Sequence, residues 1–199
     1  MSALAEALAP LYRGYLRRLE EMAARIGARN VLREPVARDD EQGLVRNASG
    51  SVLRFDLADS STGETFEVHG ARPDDPGERQ LRVGPLAFHL ESGNWEELPV
   101  RCSFGDAPPR DDAEALAELL RGWAVLAAHG GFASARETNP ELWSGRLHSA
   151  SVRIEGAEVV SLLDLGTCPP AAFDPIAEAL AAFGRERVPL TAVQIGGRP

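Results

Sequence analysis

The chain of 199 residues has no lysine: all 21 of its basic residues are arginine. Without an ammonium side chain there is no Schiff-base lysine, no lysine general base and no Walker-type phosphate loop. An all-arginine set of cations reads as the coding bias of a GC-rich, bacterial genome. Cysteine is almost as scarce, with Cys102 and Cys168 far apart and in no CxxC pair, which excludes a zinc knuckle and a thioredoxin-like motif and leaves a single disulfide open. The four histidines, His69, His89, His129 and His148, have neither HxxxH nor HxH spacing, so no metal or other cofactor is expected. No apolar run reaches the ~18 residues of a membrane-spanning helix. The opening Met1-Ser2-Ala3-Leu4-Ala5 lacks the basic stretch of a secretory signal, so a cytoplasmic protein with reduced thiols is expected.

Thirty acidic residues against 21 basic ones give a formal charge of -9. That balance repels nucleic-acid phosphates and anionic lipid headgroups, so neither nucleic acid nor membrane is an expected partner, whereas a basic protein is. With 44% apolar and 26% charged residues, the composition suits one globular domain over residues 1–199.

Apolar residues Leu4, Leu8, Leu11, Tyr15, Leu19, Met22 and Ile26 recur at steps of three and four, which predicts an amphipathic helix over residues 1–28. Pro10 lies inside the pattern, so either the helix begins near Ala9 or the segment kinks at Pro10. Residues 28–50 read as a connector with room for one short strand. From Val52 the period changes to two: Leu53, Phe55 and Leu57 alternate with Arg54 and Asp56, the mark of a strand with one buried face. Turn-rich breaks at Ser60-Ser61-Thr62-Gly63, Pro73 to Gly77, Gly84-Pro85 and Ser92-Gly93-Asn94 then divide residues 50–105 into an antiparallel meander of about five strands. A second helix is predicted over 111–129, with Leu116, Leu119, Leu120, Trp123 and Leu126 as its core face and Gly130-Gly131 as its stop. Asn139-Pro140 reads as the cap and first position of one helical turn. Residues 151–196 read as a β-β-α-β unit. The fold class is therefore α+β, a mainly antiparallel sheet with helices mostly on one face.

Few residues invite a chemical reading. His129-Gly130-Gly131-Phe132 resembles the HGG stretch that supplies oxyanion-hole amides in lipase-like α/β-hydrolases. That family's motif follows a strand and is joined by a Gly-x-Ser-x-Gly elbow, which this chain lacks, and a helix stop with His129 complementing the helix dipole accounts for the same residues. Cys168, in Thr167-Cys168-Pro169-Pro170, is placed near the start of the last helix, where amides and dipole would stabilise a thiolate, with His129 or His148 as the base. A buried structural thiol is the alternative, and Cys102 is expected in the core. Asp164, late in an apolar strand, calls for a partner or an edge position. Asn47-Ala48-Ser49 matches a glycosylation acceptor, of use only to a secreted chain. Trp95 and Trp143, with Arg101 and Arg146 nearby, have the composition of an interaction hot spot.

The element order resembles, at the level of topology, that of type III secretion chaperones, which are small acidic dimers, and it suits an immunity protein against a basic toxin equally well. The expectation is a non-catalytic protein-binding module working through an acidic surface, with a homodimer compatible. The alternatives are a thiol-dependent hydrolase or transferase using Cys168 with a histidine, and a small-ligand carrier with a pocket between sheet and helices.

Overall fold

The computed structural model describes residues 2–27, 30–46, 52–70, 72–77, 79–132 and 145–198. The glycosylation acceptor, the Asn139-Pro140 turn and Trp143 lie outside them. The first helix, α1 (Ala3–Ile26), is capped by Ser2, whose Oγ accepts from the amide of Ala5 at 3.1 Å. Pro10 is interior to it, so the helix does not wait until Ala9 to begin; it tolerates one missing backbone donor because Leu4, Leu8, Leu11, Tyr15 and Leu19 are all buried on its inward stripe. Gly27, at φ 105°, ends it with a backbone conformation that favours glycine.

The expected five-strand meander divides between two sheets. Strands β1 (Val31–Arg33), β2 (Leu57–Asp59) and β3 (Thr65–Phe66) form a small antiparallel sheet, pairing Leu32 with Ala58 and Leu57 with Phe66. Single bridges from Val36 to Arg54, Arg38 to Leu44 and Arg46 to Val52 carry the ribbon beyond β1 and β2. Of the apolar residues expected inward, Leu57 is buried, but the residues before it reverse the expected polarity. Arg54 and Asp56 are buried, whereas Leu53 and Phe55 are only partly so. A period of two states that a strand has two faces; the partners waiting on each side decide which is inside.

The large sheet comprises β4 (Arg79–Val83), β5 (Leu86–Leu90), β6 (Leu98–Phe104), β7 (Ser149–Glu155), β8 (Glu158–Asp164) and β9 (Leu190–Ile195), in the order β4-β5-β9-β6-β8-β7. The last strand enters the middle, parallel to β5 and antiparallel to β6, which separates two strands that the meander would have made neighbours. Helices α2 (Arg110–Ala128) and α3 (Phe173–Glu186), the latter preceded by a 3-10 turn (Pro170–Ala172), pack on one face. Phe88, Val100, Leu163, Val193 and Ile195 from the sheet meet Leu120, Trp123, Ile176 and Leu180 from these helices. Where these side chains meet, the space left between the layers is about 10 Å³, roughly one water, and a second space of about 170 Å³ lies where β4 meets α1 and α3. The fold is α+β, with mostly antiparallel strands.

Candidate functional site

The small sheet meets the large one through a knot of buried polar side chains. His148 immediately precedes β7, and its Nε2 donates to Glu34 Oε1 at 3.1 Å. Its Nδ1 faces Asp56 Oδ1 at 3.6 Å and Asp164 Oδ2 at 3.7 Å, charge contacts beyond hydrogen-bond length. Glu34 Oε1 also accepts the amide of Thr167 at 2.8 Å, while Oε2 is buried without a hydrogen bond. Asp56 takes the hydroxyl of Tyr15 from α1 at 2.5 Å and the amide of Val68 at 2.6 Å. Arg54 Nη1 donates to the carbonyl of Glu34 at 2.6 Å. Glu34 and His148 are 1% and 2% exposed, so the knot is closed to solvent at its centre. Two backbone features make room for it. Glu34 adopts φ 48°, unusual for a residue with a side chain, and Gly166 adopts φ 49° with its hydrogen directed at the His148 ring.

The electrostatics follow from this enclosure. Burial alone would pull the His148 pKa down, but the carboxylates of Asp164 and Glu34 outweigh it and hold it up at about 10, so the ring is an imidazolium at neutral pH. Burial and the Asp56 carboxylate push the Tyr15 hydroxyl far up. Burial, then the neighbouring Arg54, lowers Arg146 to about 10. Glu67 reaches solvent, yet partial burial and the adjacent Asp56 push its carboxyl up to about 7.

Most of the residues that the sequence singled out are enclosed. Cys168 lies ahead of the 3-10 turn rather than at the N-terminus of α3, and its amide donates to Leu165 O at 2.8 Å. Its thiol is fully buried, and burial followed by the Glu34 charge pushes its pKa up to about 12, opposite to the direction a thiolate nucleophile needs. His148 is close in the fold through Glu34, but both ring nitrogens face carboxylates. His129 is exposed at the end of α2, where its Nδ1–H donates to Val125 O at 2.8 Å, and Gly130 at φ 78° turns the chain there. The HGG stretch thus ends a helix and does not follow a strand.

Trp95 is wholly buried between Tyr12 and Phe173, with ring centroids 5.6 and 5.9 Å away, and Arg146 is buried beside the knot. Neither is the exposed hot-spot side chain expected, because each fills space where the elements join. Cys102 lies in the core and Asp164 has the His148 partner it required. Glu34, Asp56, Arg54 and Tyr15 gave no motif; the one available signal was that two charged residues alternate with apolar ones at 53–57, and it was read with Arg54 and Asp56 outward. Among the described residues, no group of three or more His, Cys, Asp or Glu side chains is arranged to hold a metal ion, and no helix is long and apolar enough to cross a membrane.

Among the described residues, what stands open is backbone. Strand β7 is the last of the large sheet, paired on one side with β8 from Ser149 opposite Asp164 to Glu155 opposite Glu158. Six of its seven residues are exposed, including Ile154 at 38%. The opposite edge, β4, is shorter and carries Arg79 and Arg82, charges of the kind that discourage strand addition. On β7 the two charged residues, Arg153 and Glu155, neutralise one another at 3.1 Å.

Comparison of the chain with protein-family models, with curated proteins and with solved structures finds no match.

Proposed function

We propose that this chain is a non-catalytic, cytoplasmic protein-binding module, of chaperone or immunity type, that takes a basic extended segment of a partner protein along β7. The observation that carries the reading is the length and exposure of that edge strand. Outward-facing amides and carbonyls of an edge strand supply affinity, and alternate side chains supply specificity. Ala150, Val152 and Ile154 continue the inner face of the sheet and suit small or β-branched partner residues. The chain's charge of -9 favours basic residues on the alternate positions and disfavours a second, equally acidic copy. The enclosure of Cys168 and His148 supports a non-catalytic role, and two free buried thiols suit a reducing compartment.

The test is an NMR titration with two eight-residue peptides, one alternating Val and Arg, the other alternating Val and Glu. The basic peptide is expected to shift the amides of residues 149–155, and Ile154→Arg is expected to weaken it at least fivefold. Shifts confined to other strands, or an equal response to the acidic peptide, would refute the reading. A dimer in sedimentation that Ile154→Arg dissociates would give the edge to a second copy instead.

A further inference from the structure

The face of the large sheet turned away from α2 and α3 carries a row of donors. Strand register sets Gln80 beside His89, His89 beside Gln194, and Gln194 beside Arg101, across β4, β5, β9 and β6. With neighbouring strands about 4.8 Å apart, the row runs roughly 14 Å. At its β4–β5 end lies an open cleft of about 820 Å³, lined by Gln80 and His89 and also by Arg79 and Arg198. That volume is in the range of small-molecule sites, roughly 300–1,000 Å³.

Two observations describe this cleft. The first is a pair of free cations. In this acidic chain several guanidiniums are committed, as with Arg18 to Asp74 and Glu96, Arg33 to Glu20, and Arg187 to Asp112, while others, Arg13, Arg25, Arg110 and Arg185 among them, make no ion pair among the described residues. Among the described residues, the Arg79 and Arg198 side chains have no ion-pair partner, although acids outnumber bases. The second is the construction of the wall that carries Arg198. After β9 the chain turns through Gly196 at φ 91° and Gly197 at φ 85°. A Cβ on Gly196 would run into the carbonyl of Glu91, so the turn is available to glycine alone. It is pinned by Gly196 N to Pro99 O and Gly197 N to Ser92 O, each 2.9 Å, and by Arg101 Nη2 to Arg198 O at 3.0 Å. The tail that presents Arg198 is thereby fixed at the cleft.

The geometry points to a binding site for a small monoanion, a carboxylate or a singly charged phosphate, held between Arg79 and Arg198 with Gln80 and His89 as further polar contacts. Guanidinium forks match both groups in a bidentate manner. The cleft also contains two acids, and they set the ligand's charge. Asp75 Oδ1 accepts the amide of Gly77 at 2.7 Å and keeps its charge, so Asp75 and Glu91 together oppose a second negative charge on the ligand.

The experiment is an NMR titration of the full chain at low ionic strength with benzoate, with inorganic phosphate at pH 6, and with chloride as the control. Benzoate and phosphate are expected to shift the amides of residues 79–80, 89–92 and 197–198, with chloride at the same ionic strength leaving them in place. Arg79→Gln and Arg198→Gln are each expected to weaken binding at least fivefold, Arg82→Gln outside the cleft to leave it unchanged, and Glu91→Gln to strengthen phosphate. Equal affinity in the two cleft variants, equal loss in Arg82→Gln, or a chloride response matching that of phosphate would overturn the proposal and leave an adventitious ion only. Absence of any shift at 50 mM of either probe would do the same.

Discussion

The knot around His148 and the cleft beneath Arg198 are built from the same kinds of side chain and put them to opposite ends. In the knot, an imidazolium, two arginines and several carboxylates face one another around a centre closed to water, with Glu34 Oε2 and His148 Nδ1 left without a hydrogen bond. In the cleft, guanidiniums face solvent without an ion-pair partner among the described residues. Strongly shifted titration often marks an active site, and structural ion networks shift titration as well. Here the shifted groups, Tyr15 and His148, mark a joint: Tyr15 comes from α1 and His148 from just before β7, and they meet Glu34 and Asp56 beside the small sheet and Asp164 in the large one. Access to solvent, rather than perturbation, separates what can bind from what holds the elements together.

The largest expected effect comes from removing the charge at the centre of the joint. His148→Ala leaves Glu34, Asp56 and Asp164 facing one another in a buried space, and breaking a buried ion pair from one side costs about 3–5 kcal/mol. Urea denaturation followed by circular dichroism measures it; a loss under about 1 kcal/mol would mean that the knot is not what joins the sheets. The same group predicts a pH profile. Its folded pKa is raised from 6.5 to about 10, so its contribution is fully present below pH 6.5 and is lost as pH rises through 10. Urea midpoints at pH 6, 8 and 10 should fall steadily in the native chain and more shallowly in His148→Gln.

Smaller losses are expected at the two residues that shape the knot. In Gly166→Ala the new methyl meets the His148 ring and the carbonyl of Arg146 while the backbone keeps a left-handed conformation, which together cost about 2–4 kcal/mol. Tyr15→Phe removes one of two donors to Asp56 in a buried setting, a loss of about 1–3 kcal/mol. If Gly166→Ala proves the milder of the two, the ring has room to move and the enclosure is looser than its geometry implies.

The sequence made some of this legible and the rest not, for physical reasons. The stripes of α1 and α2 could be read because a helix that buries one face must repeat its apolar residues, as Leu116, Leu120 and Trp123 do, whereas Leu126, expected on the same face, is exposed near the end of α2. The insertion of β9 between β5 and β6 could not, because alternation fixes a strand's faces and says nothing of its neighbours. Residues 53–56 were misread since apolar was equated with inward, which held for Leu57, and the rule fails where Arg54 and Asp56 bring their own partners. Cys168 was read from its proximity in sequence to a helix, whereas its titration is set by burial and by Glu34, a residue more than a hundred positions away. Glu34 itself gave no signal, since nothing local marks a residue that will take φ 48°.

The smallest expected effect sharpens the contrast from the other side. Arg198→Gln should leave stability within about 0.5 kcal/mol of the native chain, as surface substitutions away from buried networks do. The tail is held by backbone: Arg101 donates to the carbonyl of Arg198, and Gly196 and Gly197 donate to Pro99 and Ser92, all of which the substitution retains. The side chain itself makes no ion pair among the described residues that could be lost. A thermal melt of this variant that matches the native chain, next to a His148→Ala melt displaced by many degrees, would separate groups kept for binding from groups kept for assembly. A displaced Arg198→Gln melt would instead make that guanidinium part of the framework, and the cleft would lose its claim to a ligand.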